Sequence, residues 1–219
     1  MERGRWLVYA CRTDYTVDVV EIIARRDEEV AALVDNLHEP RSVDDPEMIS
    51  ADALSPALLP LPVVIPLITP GHRHHVVVEA RMKGLTCFPS LVDPTAVVAS
   101  SAEIGEGTVI NAGAVIAGEV RAGRFVHVNR SASVGHHSVL DDFSTLGPGC
   151  VLAARVRVSS GAFIGAGAVC APKVVIGANA IVGAGAVVVK DVPAGAVVVG
   201  NPAQVIRHGD VGYGGVRVP

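Results

Sequence analysis

Between Val92 and Val188 the hydrophobic positions recur at every sixth residue. Counting from Val92, the series runs through Val98, Ile104, Ile110 and Ile116 to Leu140, Leu146, Ile164, Val182 and Val188, and it keeps phase over seventeen hexads. Fifteen of the seventeen places hold Val, Ile or Leu, and the other two, Ala122 and Cys170, are small and apolar. A small or turn-forming residue follows most anchors, as at Gly105, Asn111, Gly135 and Gly165, and another small residue stands four places on, as at Ala96, Ala114, Ala132 and Ala162. A helix cannot use this pattern, because six residues at about 100° each smear the apolar set around its axis. The two-residue period of an ordinary strand leaves the fixed small residues unexplained. A six-residue period fits a β-helix, in which each hexad is one short side and three hexads close a triangular coil. The aliphatic anchors then point inward, and successive coils stack at about 4.8 Å.

The pattern ahead of the hexads is of another kind. Residues 6–10 read as a strand, and Val17, Val20, Ile23 and Ala24 give the next segment one apolar helical face, with Thr13 or Asp14 as its cap. Residues 29–34 predict a second strand ending at Asp35 and Asn36. The acidic, proline-containing stretch 38–57 predicts a loop with at most a short helix. Residues 63–68 predict a third strand, which Pro62 and Pro66 assign to a sheet edge or a distorted position. A helix over 74–83 follows Gly71. The order describes a small α/β domain with a parallel sheet over residues 1–90. The β-helix domain follows over 91–206, with a glycine-rich flexible tail over 207–219.

Composition narrows the function classes. Half of the residues are hydrophobic but only 4% are aromatic, which suits a solenoid filled by thin aliphatic layers. A formal charge of −4 without a Lys/Arg run argues against nucleic acid as a partner. The four cysteines, Cys11, Cys87, Cys150 and Cys170, have no CxxC spacing and read as reduced thiols of a cytoplasmic protein. The apolar stretch 58–68 contains three prolines and is too short to cross a bilayer, and the opening residues do not read as a signal peptide.

One segment interrupts the bland hexads: VNRSASVGHHSVLDDFSTLGPG, residues 128–149. Relative to the anchor Val134, His136 and His137 occupy outward-facing places. Asn129 lies one hexad earlier at a corner, and Asp141 and Asp142 lie one hexad later. An outward imidazole that titrates near neutrality suits a general base.

The hexads, the short α/β domain before them, the VGHHSVLDDFSTLGPG segment and the GNPAQVIR exit resemble the bacterial acyltransferases of the left-handed β-helix superfamily. Among these, the sialic-acid O-acetyltransferases and nucleotide-amino-sugar N-acetyltransferases are the most similar. The resemblance implies an α/β, Rossmann-like nucleotide-sugar-binding domain, a left-handed parallel β-helix, a homotrimer, and acetyl-CoA as co-substrate in the groove between prisms. It implies that His136 is the general base. Relatives carry Asp or Glu directly after the base, where this chain has His137. A second family histidine near the acetyl group is Thr145 here, and the pantetheine would pass Ala154, Ala166 and Ala184. In the front domain Arg12 and Thr13 stand where relatives have a glycine-rich turn, Asp35 and Asn36 match an acidic pair, and Gly71 matches a Gly-Asn turn. With Asn129 these are the expected contacts of the sugar nucleotide. A zinc centre of three histidines resembles this chain in fold only, since His127, His136 and His137 lack its spacing, and no metal is expected. A non-catalytic trimeric sugar-nucleotide-binding scaffold and O-transfer in place of N-transfer stand as the alternative readings.

Overall fold

The computed structural model describes residues 4–37, 48–209 and 211–219. Its front part is a parallel sheet of four strands, β1 (Arg5–Tyr9), β2 (Glu29–Asp35), β3 (Met48–Ser50) and β4 (Val63–Val64), in the order β3-β2-β1-β4. Helix α1 (Thr16–Arg25) buries Val19, Ile22 and Ile23 against Trp6 and Val8 of the sheet and Leu91 and Val109 of the prism. Helix α2 (Pro70–Met82) covers the opposite side with Val77 and Ala80.

Several local expectations change. Residues 48–50, expected in a loop, pair with residues 33–35 as an edge strand; residues 38–47 of that stretch lie outside the described residues. The opposite edge strand is only two residues long, because Pro66 offers no N–H to extend the ladder. Helix α2 starts at Pro70, whose fixed φ suits a first helical position. Neither Thr13 nor Asp14 caps α1: the cap residue is Tyr15, with no side-chain bond. The Thr13 hydroxyl instead accepts from the Tyr15 N–H (3.1 Å) and donates to the Pro66 carbonyl (2.9 Å), which ties the start of α1 to the segment after β4.

From β5 (Leu91–Val92) to β21 (Val187–Val188) the chain makes seventeen two-residue strands. They sort into three parallel sheets, and β22 (Val197–Val199) and β23 (Gln204–Arg207) extend the first. Each strand pairs with the one three strands on, as His127 with Thr145 and Val128 with Leu146, so each regular coil takes eighteen residues. This is a left-handed parallel β-helix. The hexad anchors form its core: Ile110, Leu140, Leu146 and Ile164 are at most 1% exposed. Each such side chain contributes about 1.5–3 kcal/mol on burial. Val92, Val98 and Ile104 are only partly buried, since they belong to the first coil and have no coil beneath them. The residues four places on, such as Ala114, Ala132 and Ala168, also face inward and are fully buried.

The three outer faces differ. The first, outward through Val109, His127, Thr145, Phe163 and Ile181, is covered by the α/β domain and by the end of the chain. The second exposes a stripe of valines, Val97, Val115, Val151 and Val169, each 38–63% exposed. The third carries the ion pairs Glu103–Arg121 and Asp141–Arg157. The last residues, expected to form a flexible tail, have a defined course. Tyr213 stacks on Phe163 with ring centroids 3.6 Å apart, and Val218 exchanges two hydrogen bonds with the Asn179 amide.

Candidate active site

The edge between the second and third faces carries the two outward histidines. Gly135, His136, His137 and Ser138 form the turn, with His137 in the left-handed region at φ 60°. The coils on either side hold this turn, since the His137 N–H donates to the Gly118 carbonyl (3.1 Å) and the His136 carbonyl accepts from the Arg155 N–H (3.0 Å). Both imidazoles are exposed, and their Nδ1 atoms lie 2.9 Å apart with the rings nearly perpendicular at 82°. Two lone pairs cannot face each other at that distance, so one Nδ1 carries the proton. With the proton on His136, its Nε2 keeps a free lone pair, which is the form a general base needs. Asp141, a conceivable carboxylate partner, is taken up by Arg157 at 2.9–3.1 Å, and Asp142 by Arg124.

Above His136 on this edge, Ala154, Pro172 and Lys190 take the same turn place in successive coils, beside Arg155 and Lys173. Small residues thus give way to basic ones along the edge.

The edge between the first and second faces carries two adjoining clefts. One, of about 310 Å³, is lined by Asn129, Thr145, Gly165, Ala166, Ala184 and Tyr213. The other, of about 470 Å³, lies between Thr13, Tyr15 and Thr69 of the α/β domain and Asn129, Arg130 and Pro148 of the prism. A third cleft, of about 270 Å³ and inside the front domain, is lined by Arg12, Thr13, Asn36, Leu37, Leu67 and His72.

No protein-family model and no curated relative matches the chain. Solved structures do. Over 94% of its length and 98% of the other's, the chain is similar to a His-to-Asn variant of perosamine N-acetyltransferase from Caulobacter crescentus in complex with CoA and GDP-perosamine, at 30% identity and a TM-score of 0.81. The chain belongs to the nucleotide-amino-sugar N-acetyltransferase family. The acetyltransferase domain of PglB from Neisseria gonorrhoeae, solved in complex with acetyl coenzyme A, matches 94% of this chain and all of that one at 28% identity, with a TM-score of 0.82. WeeI from Acinetobacter baumannii shares the fold at 24% identity, 94% coverage of this chain and a TM-score of 0.79.

The expected site residues of this chain fall into three groups. His136, His137 and Ala154 share one edge; Asn129, Ala166 and Ala184 share the next; Arg12, Thr13, Asp35 and Asn36 lie in the front domain. Asp35 is buried, paired with Arg12 Nε at 3.0 Å, and accepts from the Leu37 N–H; the Asn36 amide donates to Glu79. The turn after β1 lacks glycine, yet Ala10 takes the left-handed conformation there at φ 63°. The two remaining expected residues make structural contacts. The Thr145 hydroxyl donates to the Ile68 carbonyl (2.7 Å) and accepts from Arg73 (2.9 Å), so it locks the two domains together. Gly71 lines none of these clefts: it lies in α2, where a Cβ would come within 2.3 Å of the Val216 carbonyl oxygen, so it makes room for the chain end.

Sequence reasoning missed Arg73. It is 2% exposed and donates to the carbonyls of Leu67, Phe125, Phe143 and Ser144 as well as to Thr145. Burial pushes its guanidinium down to about 9, which leaves it charged at neutral pH. Its position just before the helix expected over 74–83 gave no sign of burial. The three histidines of the zinc alternative do not meet within the chain, since His127 is fully buried on the first face against Tyr15. Among the described residues no group of three or more His, Cys, Asp or Glu gathers as metal ligands. Burial pushes the Cys150 and Cys170 thiols up to about 12, so neither is a thiolate nucleophile.

Proposed function

We propose that the protein transfers the acetyl group of acetyl-CoA to the amine of a nucleotide-linked amino sugar, by direct attack, as a cytoplasmic homotrimer. The observation that carries the reading is the exposed His136, engaged at Nδ1 by His137, at the foot of an edge column that runs through Ala154 and Pro172 to Lys190. The perosamine enzyme was solved with CoA and GDP-perosamine, and the PglB domain with acetyl-CoA, which supports the same substrate pair here.

His136 Nε2 removes the amine proton as its nitrogen attacks the thioester carbonyl. The C–N bond forms, the tetrahedral oxyanion collapses, the C–S bond breaks, and the thiolate of CoA leaves with the proton from the imidazolium. A base so placed contributes roughly 10²–10⁴ in rate. Lys190 lies three coils from His136, about 14 Å at the spacing of stacked strands. An extended pantetheine arm of two amide units spans about that length. Lys190 is therefore assigned to the phosphates of the coenzyme. The front-domain cleft beside Arg12, Thr13 and Asn36 is assigned to the nucleotide.

The trimer reading rests on two features. The second face is an exposed apolar stripe, and it separates the edge with His136 from the edge with Asn129, Ala166 and Ala184. Prisms packed through that face bring one chain's base edge beside the next chain's cleft. The test is thioester consumption by the purified protein over a panel of nucleotide amino sugars and their hydroxyl analogues, with product masses. An N-acetylated product from at least one amino sugar supports the reading. Tight nucleotide-sugar binding without coenzyme consumption replaces it by the scaffold reading, and turnover of hydroxyl acceptors alone replaces it by O-transfer.

A further inference from the structure

We propose that His137 is a positioning residue: kept neutral, it accepts the Nδ1 proton of His136 and so does the work a carboxylate does where a base histidine is followed by Asp or Glu. The inference deepens the acetyltransferase reading, and its first test does not depend on activity.

His137 occupies the left-handed place of its turn, and the same place in neighbouring coils of that edge is held by Glu119, Arg155 and Lys173, all with φ between 60° and 67°. A branch-free left-handed residue is costly for any side chain but glycine, with Asn the best tolerated exception. The turn is pinned by the Gly118 carbonyl below and the Arg155 N–H above, so the two rings leave a fixed backbone. They converge at Nδ1, 2.9 Å apart.

The protonation state follows from that contact. If His137 were the donor, His136 would carry its own proton on Nε2 and present no lone pair to an acceptor amine. If His136 is the donor, its Nε2 is free, and the imidazolium formed during transfer keeps the same Nδ1–H···N bond. Only the second arrangement serves both halves of the reaction without a tautomer change. It requires His137 to carry its proton on Nε2 and to stay neutral. The charged groups that share this corner are Glu119, Arg155 and Lys173 in its own column, and Asp141 with Arg157 on the next strand. Asp141 is held by Arg157, so His137 is the partner in contact.

A neutral acceptor differs from a carboxylate in charge: His136 protonated at Nε2 keeps its Nδ1–H bond to His137 but gains no negative partner. A carboxylate at this place would hold the His136 imidazolium and move the acid limb of kcat/KM to higher pH.

The experiment uses the full-length protein with three substitutions. His137→Gly keeps the turn and removes the acceptor. His137→Asn tolerates the left-handed backbone, as Asn179 does at φ 56°, and restores an acceptor oxygen. His137→Glu supplies the charge. Nitrogen-15 NMR of the imidazoles is read first: His136 is expected as the Nδ1–H tautomer in the wild type and as the Nε2–H tautomer in His137→Gly. In turnover, His137→Gly should lose roughly ten- to a hundredfold in kcat at unchanged KM for acetyl-CoA. His137→Asn should regain most of it, and His137→Glu should shift the acid limb to higher pH. An Nε2–H tautomer for His136 in the wild type overturns the proposal whatever the activity. So does a His137→Gly enzyme with wild-type kcat, or a folded His137→Asn enzyme no better than His137→Gly. A wild type with the expected tautomer but no turnover on any acceptor sinks the acetyltransferase reading and leaves the histidine pair standing.

Discussion

Replacing Arg73 by Met tests how the α/β domain is fixed to the prism. The side chains have similar length, but Met cannot donate, and the substitution strips hydrogen bonds from the carbonyls of Leu67, Phe125, Phe143 and Ser144 and from the Thr145 hydroxyl. A hydrogen bond to a charged group contributes about 1.5–3 kcal/mol, and a buried acceptor left unpaired costs about 1–3 kcal/mol. These terms overlap, and removing a buried cation also removes its desolvation penalty, so a net loss of about 3–5 kcal/mol is expected. For a chain of this size that corresponds to a fall in Tm of about 6–20 °C. Arg73→Lys should recover little, because an ammonium cannot serve three segments from one planar fork. The change should also raise KM for the sugar nucleotide, since Leu67 and Ile68 line the clefts and are held through Arg73 and Thr145. Scanning calorimetry and acceptor kinetics read both effects. An Arg73→Met protein whose Tm lies within 2 °C of wild type, by the same order-of-magnitude argument, refutes the assignment of Arg73 as the interdomain lock.

Three further outcomes follow from other parts of the molecule. His127 is fully buried, and desolvation, then the Arg73 charge, holds its imidazole well below the usual range. Its stabilising contribution is therefore complete above the unfolded-state value near 6.5 and is lost as pH falls below it, at up to about 1.4 kcal/mol per pH unit. Denaturation of His127→Phe between pH 6.5 and 5 should show a correspondingly flatter dependence; an unchanged slope contradicts the burial argument. Val151→Asp puts a charge on the apolar second face and should release monomer at micromolar concentration in sedimentation, whereas Val175→Asp on the third face should not. Lys190→Ala should raise KM for acetyl-CoA several-fold, less so at high salt, with kcat unchanged; equal KM values remove Lys190 from the coenzyme site.

The prism was legible because its period is a local property. Inward anchors, small corners and turn residues repeat every six places, so Leu140 and Ile164 could be assigned to the core without knowing their neighbours. The outward pair His136 and His137 was legible for the same reason, since register alone decides which way a hexad place points. Their mutual contact was not, because it depends on the left-handed turn at His137 and on ring rotations. Long-range events were hidden as well. Nothing in the spacing announces that Thr145 meets Ile68 and Arg73, that Gly71 admits Val216, or that Tyr213 stacks on Phe163. The edge strand Met48–Ser50 escaped because three residues beside an acidic stretch carry too little pattern, and its pairing with β2 supplies what its own sequence lacks.

The central claim is that His136 takes the acceptor's proton, and His136→Ala addresses it most directly. Turnover of acetyl-CoA with the best nucleotide amino sugar should be compared between wild type and variant under saturation. The variant's assembly and coenzyme affinity should be checked in parallel. The side chain is exposed and outside the prism core, so the variant should assemble and bind acetyl-CoA as the wild type does. Its kcat should fall by roughly 10²–10⁴. An assembled His136→Ala enzyme that transfers acetyl groups at the wild-type rate contradicts the account.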